Sequence, residues 1–504
     1  MATARSLPRV WPSSLQLAAI TRQTVARTQR VREQLQQRGL AISVKSKPYA
    51  RTFGQPTAYS HPHLVKANEL TRGITPQEYA ARRAALADRM VEGSIAICVG
   101  NHLHYMSGSA HYDFQQNANF FYLSGFTEPD AVLVIEKVSA LQHQFHLFVP
   151  PKDEFAELWN GTRTGVDAAL EVFGADEAWS INSLVQHLTP MVDRATVIYG
   201  DFASLQRQRS SLAGAGFLRG STSSQAESLI TSMLDPVKLK PLNTHVHSLR
   251  SFKSPAEIAL MRTAGKISGR GFNNTMQKRL MSEHEVATTL DYEFKMGGCE
   301  KSAYVPVVAG GEHALTIHYT SNNDMLESGE MILVDAGGQY GGYAADITRT
   351  WPVNGKFTPA QRDLYQAVLN VNKSCIKLVS EAENMTMNDL LRKCSSQLGE
   401  QLKALGFSLV EGDLDRVLFP HHVSHQLGIQ VHDSPSIHSR DVLKAGQVIT
   451  IEPAIYVPNN ERWPKHFRGM GIRVEDDVLV GKTDPVVLTT EAAKEVVDIE
   501  ELMR

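Results

Sequence analysis

Apolar positions along this chain follow two alternating patterns, and together they predict an α/β fold. Short runs of mainly apolar residues predict buried strands from Ser94 to Val99, Ala131 to Glu136 and Gln144 to Val149. Segments in which apolar residues recur at helical spacing lie between and after these runs. No run approaches the roughly 18 apolar residues that span a bilayer, so the sequence predicts no membrane span.

Three predicted helices begin with the same signature. A Thr or Ser stands at the N-cap, a Pro at the first helical position and a Glu or Gln at the third, a pattern typical of a capping box. These starts are Thr75 to Glu78, Ser254 to Glu257 and Thr358 to Gln361. A further helix is predicted from Met387 to Leu405, so helices also alternate with strands in the second half of the chain.

The stretch from Met331 to Trp351 predicts a hairpin that carries two aspartates. Met331 to Val334 predicts one buried strand and Ala344 to Trp351 the returning strand, with a glycine-rich connection between them. This pairing brings Asp335 and Asp346 together at the end of the hairpin. Neighbouring carboxylates resist joint ionisation, and a divalent cation between them removes the conflict. The alternative is that both aspartates cap backbone groups in turns.

Further candidate ligands follow downstream in similar settings. His425 lies in the segment PHHVSHQLGIQVHD, and Glu452 ends a short predicted strand. Glu475 lies in a single strand predicted from Gly471 to Val480, and Arg473 projects from the same face of that strand. Arg473 is therefore a candidate for orienting a metal-bound carboxylate. The alternative is that Arg473 and Glu475 form an ordinary surface ion pair.

Histidines cluster around these acids in the sequence. The four of interest are His318, His421, His425 and His432. The spacing of four between His421 and His425 resembles that of a zinc-binding helix, but the segment lacks the glutamate of the H-E-x-x-H motif. Because Pro420 and Gly428 also flank the segment, we predict a loop or strand at this position.

The combined side chains favour divalent cations over a thiolate zinc site. Four carboxylates supply four negative charges, which two divalent cations neutralise: Asp335, Asp346, Glu452 and Glu475. One imidazole among four carboxylates suits Mn²⁺ or Co²⁺, whereas no two of the four cysteines form a C-x-x-C pair. Paired cations activate water and polarise a carbonyl group, so the set points to hydrolysis of an amide or ester.

The beginning of the chain differs sharply in charge from the remainder. Residues 1–55 hold ten basic residues and one acid, a net charge of +9, whereas the remainder holds 41 basic and 52 acidic residues, a net charge of −11. One face of a helical wheel carries Leu17, Ile20, Thr24, Val31 and Leu35. This amphipathic, arginine-rich pattern predicts a mitochondrial transit peptide, cleaved between about Arg30 and Gly54. The alternative is a basic tail for an acidic partner, while the acidic remainder argues against nucleic acid as a partner.

Composition divides the chain into three predicted segments. Residues 1–54 form the leader, residues 55–250 a smaller α/β domain, and residues 251–504 a second α/β (α+β) domain that carries the candidate ligands. Asn117 to Phe126 is rich in aromatic residues and predicts core rather than a ligand surface. Gln206 to Gln225 predicts an exposed loop because it is rich in Ser, Ala and Gly.

Several of these motifs resemble the aminopeptidase P branch of the pita-bread metallopeptidases. They are VDAGGQYGGYAADITRTWPVNGKFT, HHVSHQLGIQVHD, ITIEPAIYVP and FRGMGIRVEDD, and they present Asp, Asp, His, Glu and Glu in the order of that family. The resemblance extends upstream to SPAEIALMRTAGK and TIHYTSNN. It continues into the first predicted domain at QNANFFYLSGFTEPDAVLVI and LFVPPKDEFAELWNGTRTG, and it covers about residues 55–495.

The resemblance implies a role for each of the five acidic and histidine positions. Asp335 would bind one metal ion, while Asp346 and Glu475 would bridge two ions. His425 and Glu452 would complete the surroundings of the second ion. The implied cofactors are two divalent cations, with Mn²⁺ preferred.

The resemblance also implies residues that act on the substrate. His318, His421 and His432 would line the pocket, orient the scissile carbonyl and assist proton transfer. Glu452 would in addition accept a proton from water. The side chains that would support this arrangement are Tyr456 and Arg473.

The fold implied by the resemblance is a pita-bread catalytic domain, in which two α/β halves face each other across a cleft, preceded by a smaller N-terminal domain. The implied reaction releases a single N-terminal residue from a peptide and favours proline in the second position. Together with the leader, the resemblance implies a mitochondrial location, with a cytoplasmic form if an alternative start omits the leader. Trp159 matches a position that reaches a neighbouring active site in oligomeric relatives, which implies a homodimer.

Three alternative functions stay open at this point. The first is trimming of N-terminal residues that presequence removal exposes, without a strict requirement for proline. The second is hydrolysis of Xaa-Pro dipeptides alone. The third is a non-catalytic peptide-binding module, against which the presence of all five implied metal ligands argues.

Overall fold

The computed structural model describes residues 53–202 and 225–504, which belong to one compact unit. Nearly all of the predicted leader lies outside the described residues, as does the predicted loop from Gln206 to Gln225 except for its last residue. Gln225 begins a helix. The domain boundaries after residues 54 and 250 therefore stay a prediction.

The first part of the described chain is built around one six-stranded mixed sheet. Its strands and helices are β1 (Ser94–Val99), β2 (Tyr105–Ser107), β3 (Ala110–His111), β4 (Val132–Ser139), β5 (Gln142–Val149), β6 (Glu177–Ser180), β7 (Ile198–Tyr199), β8 (Leu239–Lys240), α1 (Pro76–Ala87), α2 (Ala118–Ser124), α3 (Glu154–Asn160), α4 (Gly165–Glu171), α5 (Leu184–Arg194), α6 (Gln225–Met233) and α7 (Asn243–Arg250). The strand order is β6-β5-β4-β1-β7-β8, and β4 runs antiparallel to both of its neighbours. The strands β2 and β3 form a separate hairpin.

Both faces of this sheet are covered, which explains why its strands are apolar at consecutive positions. Alternate side chains of β1, such as Ala96 and Cys98, pack in a cluster with residues of α1 and α2. Ile95 and Ile97 point to the opposite face and pack with residues of α5 and α6. All seven residues of α2 are buried, so the prediction that the aromatic stretch around it forms core is confirmed.

The second part of the chain holds several small antiparallel sheets between long helices. Its elements are α8 (Pro255–Met276), α9 (Glu283–Met296), β9 (Lys301–Ser302), β10 (Val307–Gly310), β11 (Met331–Ala336), β12 (Gly338–Tyr340), β13 (Tyr343–Ala344), β14 (Ile347–Pro352), α10 (Pro359–Ile376), α11 (Met387–Ala404), β15 (Val448–Ile451), β16 (Ala454–Tyr456), β17 (Gly471–Arg473), β18 (Asp476–Leu479), β19 (Val486–Val487) and α12 (Val496–Leu502). One sheet has the order β10-β11-β14 and another the order β15-β18-β19. Helix α9 packs on β10, and α10 packs on β15 and β17. The predicted mixed α/β class is confirmed.

Two of the three predicted capping boxes are complete, and the third has only the hydrogen bond to its N-cap side chain. Complete capping boxes start α8 at Ser254 and α10 at Thr358. At α1, Thr75 accepts a hydrogen bond from the backbone N–H of Glu78, as predicted. The carboxylate of Glu78 does not reach back, because it accepts hydrogen bonds from Arg82 and from the Ser254 hydroxyl, both at 2.7 Å.

Two details of the predicted strands need correction. The glycine-rich connection contains a second small hairpin, β12–β13, rather than a simple turn. The strand predicted from Gly471 to Val480 is broken into β17 and β18, which pair with β16 and β15 respectively. Glu475 lies at the break, where the chain passes from one sheet to the other. All four cysteines, Cys98, Cys299, Cys375 and Cys394, are buried and unoxidised, with no disulfide among them.

Candidate metal centre

The pairing of β11 with β14 brings the two hairpin aspartates together, as the sequence predicts. Asp335 lies opposite Thr348 on the partner strand, and Asp346 immediately precedes that strand. A Cβ atom on Gly337 would lie 1.8 Å from the carbonyl oxygen of Ala345, so the close approach of the chain requires glycine there. The aspartates are close enough for one donor to reach both.

His425 and two glutamates converge on this pair from other segments. The Nε2 atom of His425 lies 3.5 Å from Oδ2 of Asp346 and 3.6 Å from Oε1 of Glu452. Among the described residues, Asp346, His425 and Glu475 each present one ligand atom within 4.8 Å of the others. His425 lies in a loop, which confirms the prediction against a zinc-binding helix. The backbone N–H of Thr450 donates to the carbonyl of His425 at 3.0 Å and fixes this loop beside β15.

Arg473 holds the remaining aspartate. Its guanidinium donates to Oδ2 of Asp335 at 2.6 Å, to the Thr348 hydroxyl at 2.9 Å and to the Tyr456 hydroxyl at 2.7 Å. The Thr348 hydroxyl in turn donates to Glu475 at 2.6 Å. Arg473 and Glu475 are each 2% exposed, so the alternative of a surface ion pair is wrong. Both side chains meet Thr348, as expected for one face of the chain.

Crowding and burial control the protonation of these carboxyl groups. Burial, followed by repulsion from Asp346, raises the pKa of Glu475 well above its ordinary value. Burial also raises the pKa of Glu452 to about 7. Burial opposes ionisation of Asp346 too, but its interactions with His425, Tyr304 and Arg473 together outweigh burial and lower the pKa. Burial acts to lower the pKa of His425, yet the carboxylates of Asp346 and Glu452 together outweigh burial and raise the pKa to about 9.

The donor set fits hard divalent cations. Four carboxylates and one imidazole meet here, all of them buried or half-buried, and Arg473 forms an ion pair with Asp335 alone among these acids. Such a set prefers cations that accept oxygen and imidazole ligands. The structure therefore brings together all five predicted ligands, with Asp346, His425 and Glu475 forming the tightest group. Their roles as ligands stay a prediction.

The other predicted residues surround this group. His421 lies 3.0 Å from the Tyr456 hydroxyl through Nε2, and burial followed by the charge of Arg473 lowers its pKa to about 4. The ring of His432 lies edge-on to that of His425, with 4.5 Å between their centres. His318 lies on an exposed turn and still affects the titration of His421 and His432.

Sequence reasoning missed two side chains that contact the aspartates. The Tyr304 hydroxyl lies 2.6 Å from Oδ1 of Asp335 and 2.5 Å from Oδ1 of Asp346, so both aspartates compete for its single hydrogen. Asp477 accepts the backbone N–H of Asp346 at 3.2 Å, and its other oxygen has no partner among the described residues. Tyr304 precedes an ordinary buried strand, so no residue pattern distinguishes it. Asp477 ends the conspicuous run VEDD, which was the available signal.

Antiparallel sheets that collect buried carboxylates and one imidazole define a metal-dependent hydrolase. Comparison with known proteins agrees: the model of metallopeptidase family M24 matches residues 259–482, and the model of the aminopeptidase P N-terminal domain matches residues 79–199. The chain belongs to metallopeptidase family M24, in its aminopeptidase P branch. It is thus a metal-dependent aminopeptidase whose substrates are peptides and whose family uses divalent metal ions.

Similar proteins cover almost all of the chain. Intermediate cleaving peptidase 55 of Saccharomyces cerevisiae is 45% identical over 461 residues, which are 90% of this chain and 88% of the relative. Xaa-Pro aminopeptidase 3 of Homo sapiens is 36% identical over 472 residues, 90% of each chain. A crystal structure of the yeast peptidase aligns with a TM-score of 0.80 at 44% identity, covering 87% of this chain and 99% of that one. A structure of Escherichia coli aminopeptidase P aligns with a TM-score of 0.77 at 32% identity, covering 85% and 98%.

No helix within the described ranges has the length and apolar content that crossing a membrane requires.

Proposed function

We propose that this protein is a two-metal aminopeptidase that releases one N-terminal residue from peptides and favours proline in the second position. The observation that carries the proposal is the convergence of Asp346, His425 and Glu475, whose ligand atoms lie within 4.8 Å of one another. Asp335 and Glu452 border this group and complete a set of five ligands. Their combined charge matches two divalent cations, and the preference of such ligands favours Mn²⁺.

When bound, such cations supply Lewis acidity for the substrate carbonyl and lower the pKa of water. Side chains of the protein would transfer protons, orient the peptide and position the ligands. Glu452, which lies 3.6 Å from Nε2 of His425, would accept a proton from water and return it to the product. His421 and His432, joined by His318 from the turn, line the space beside the ligands and would orient the peptide. Arg473 fixes the carboxylate of Asp335, and the Tyr456 hydroxyl accepts a hydrogen bond from Arg473.

The similarity of this chain to the intermediate cleaving peptidases supports a second range of substrates. Three relatives named intermediate cleaving peptidase 55 are 35–45% identical to this chain, and the one from Arabidopsis thaliana is described as mitochondrial. A basic leader and this likeness support a mitochondrial location. They also favour trimming of N-terminal residues that presequence removal exposes, without a strict need for proline. Hydrolysis of dipeptides alone and a purely binding role are the remaining alternatives.

We also propose that the protein forms a homodimer. Helix α3 has no buried residue, and its Phe155, Leu158 and Trp159 are 73%, 79% and 68% exposed. Exposed apolar clusters of this kind mark protein interfaces in soluble proteins. Trp159 is the residue that would approach the cleft of the second copy.

The test measures release of the N-terminal residue from three substrates by the full chain with Mn²⁺. The substrates are an Xaa-Pro tripeptide or longer peptide, a peptide without proline that begins with a residue exposed by presequence removal, and an Xaa-Pro dipeptide. Asp346→Ala should abolish release, whereas Asp363→Ala, an exposed position on α10, should leave it unchanged. Cleavage of the proline peptide supports the proposal, and cleavage of the second peptide alone moves the function to trimming. Cleavage of the dipeptide alone indicates a prolidase, and metal binding without any cleavage indicates a binding module.

A further inference from the structure

The loop from His425 to Asp433 is closed by a hydrogen bond between its ends. The backbone N–H of Asp433 donates to the carbonyl of Gln426 at 2.8 Å. The same carbonyl lies 3.1 Å from Nδ1 of His425. Because a carbonyl only accepts, Nδ1 is held as the donor, and Nε2, which faces Asp346, is the ring nitrogen left for a cation. Closure of the loop thus fixes the tautomer that a metal ligand needs.

A buried carboxylate holds this loop to the end of α7 and to the segment that follows it. Asp433 accepts a hydrogen bond from Arg250 on one oxygen, and the other oxygen lies 3.5 Å from Nζ of Lys253. None of these three side chains is more than 2% exposed. The guanidinium of Arg250 also donates to Asn119 at 2.6 Å and to Gln430 at 3.0 Å. The carboxylate therefore has a fixed position set by residues outside the loop.

The anchor also reaches the hairpin that carries Asp346. A Cβ atom on Gly428 would lie 2.6 Å from Oδ2 of Asp433, so the loop wraps closely around the carboxylate. The carbonyl of Gly428 accepts the backbone N–H of Ala344 at 2.8 Å. Ala344 is two residues before Asp346, so a shift of Asp433 would move both the histidine loop and the hairpin.

We propose that Asp433 is a positioning residue, which together with Arg250 and Lys253 orients His425 and His432 for the metal centre. The proposal rests on the proposed function, because it assigns His425 as a ligand. Asp433 touches neither metal nor substrate in this scheme. It acts through the Gln426 carbonyl on His425 and through the chain itself on the adjoining His432.

The experiment compares the full-length parent with Asp433→Asn, which keeps the shape of the side chain and removes its charge. We expect the affinity for Co²⁺, measured by calorimetric titration, to fall about 10- to 100-fold, the usual effect of losing an outer partner of a metal ligand. The visible absorption of bound Co²⁺ should change as the imidazole reorients. The kcat for peptide cleavage at saturating Co²⁺ should fall by more than KM changes.

Two further variants keep the test decisive. Arg250→Lys retains the positive charge but cannot donate to Asn119, Gln430 and Asp433 together as the guanidinium does. It should lower the Co²⁺ affinity by an intermediate amount, and it replaces Asp433→Asn as the test if that variant does not fold. Asp413→Asn breaks the pair with Arg462 outside the loop, and it should lower the unfolding temperature without changing Co²⁺ affinity. The proposal is overturned if Asp433→Asn and Arg250→Lys lower only the unfolding temperature and leave Co²⁺ affinity and spectrum like the parent's. A parent that binds Co²⁺ but cleaves no peptide would overturn the proposed function instead.

Discussion

At the scale of single residues, the carboxyl groups of the candidate metal centre repel one another unless a proton or a cation neutralises them. Desolvation raises the pKa of Asp335, Glu452, Glu475 and Asp477 together. Each of these acids therefore resists ionisation in the folded protein more than in the unfolded chain. Without a cation, ionisation at neutral pH works against the fold, and a bound cation removes that opposition.

The pH dependence of stability should reveal this conflict in metal-free protein. A carboxyl group whose folded pKa is raised contributes most below its unfolded pKa of about 4.3, and its contribution is lost as pH rises. For Glu452 the loss continues to its folded pKa of about 7. We expect the unfolding temperature of chelator-treated protein to fall between about pH 5 and pH 8, and Mn²⁺ to restore it. Glu452→Gln should flatten the fall, and a flat profile in the parent would contradict the repulsion.

At the scale of helices and strands, the sequence predicted the structure correctly where interactions between neighbouring residues determine it. The caps at Ser254 and Thr358 and the strand Ser94–Val99 depend on neighbours in the chain, and all three match the structure. The break in the strand at Glu475 does not depend on neighbours. It arises because β17 and β18 pair with different sheets, and pairing partners are distant in sequence.

The cap of α8 offers a quantitative test at this scale. Ser254→Ala removes an N-cap, which costs about 1 kcal/mol, and it also removes the donor to Glu78 on α1. Ser282→Ala, the control, removes the N-cap of α9. Among the described hydrogen bonds, the Ser282 hydroxyl only accepts one from the backbone N–H of Glu285 in the same helix. Denaturant unfolding should show a larger loss for Ser254→Ala by roughly 1 kcal/mol. Equal losses would mean that the bond to Glu78 contributes nothing.

At the scale of the whole molecule, the two parts of the chain are joined by a buried arginine. Arg82 on α1 is 5% exposed, donates to Glu78 and to the Tyr343 hydroxyl, and lies 3.4 Å from Glu257. Tyr343 belongs to the small hairpin that precedes Asp346, so α1 of the first part contacts the segment that leads into the candidate site. The sequence motifs predict the five candidate ligands, and the structure brings these residues together. The contacts of Arg82 and of Tyr304 could not be predicted, because each joins segments far apart in the chain.

The exposed apolar face of α3 leads to a prediction about the proposed homodimer. Sedimentation equilibrium should show the parent as a dimer, and Leu158→Asp should shift it toward monomer because a charge would be buried at the interface. Leu141→Asp, at a position 94% exposed in the turn between β4 and β5, should remain dimeric. A monomeric parent would remove the case for this interface, whereas a dimer unaffected by Leu158→Asp would place the interface elsewhere.

The four unoxidised cysteines make the folded chain resistant to thiol chemistry. Burial raises the pKa of the Cys98 thiol and raises that of Cys299 to about 12, so neither offers a reactive thiolate at neutral pH. Cys98 lies in the first sheet, while Cys375 and Cys394 lie on the paired helices α10 and α11. The rate at which each thiol is alkylated would therefore report how often its own region opens. Alkylation of Cys98 would then follow opening of the first sheet, and alkylation of Cys375 and Cys394 would follow separation of α10 and α11.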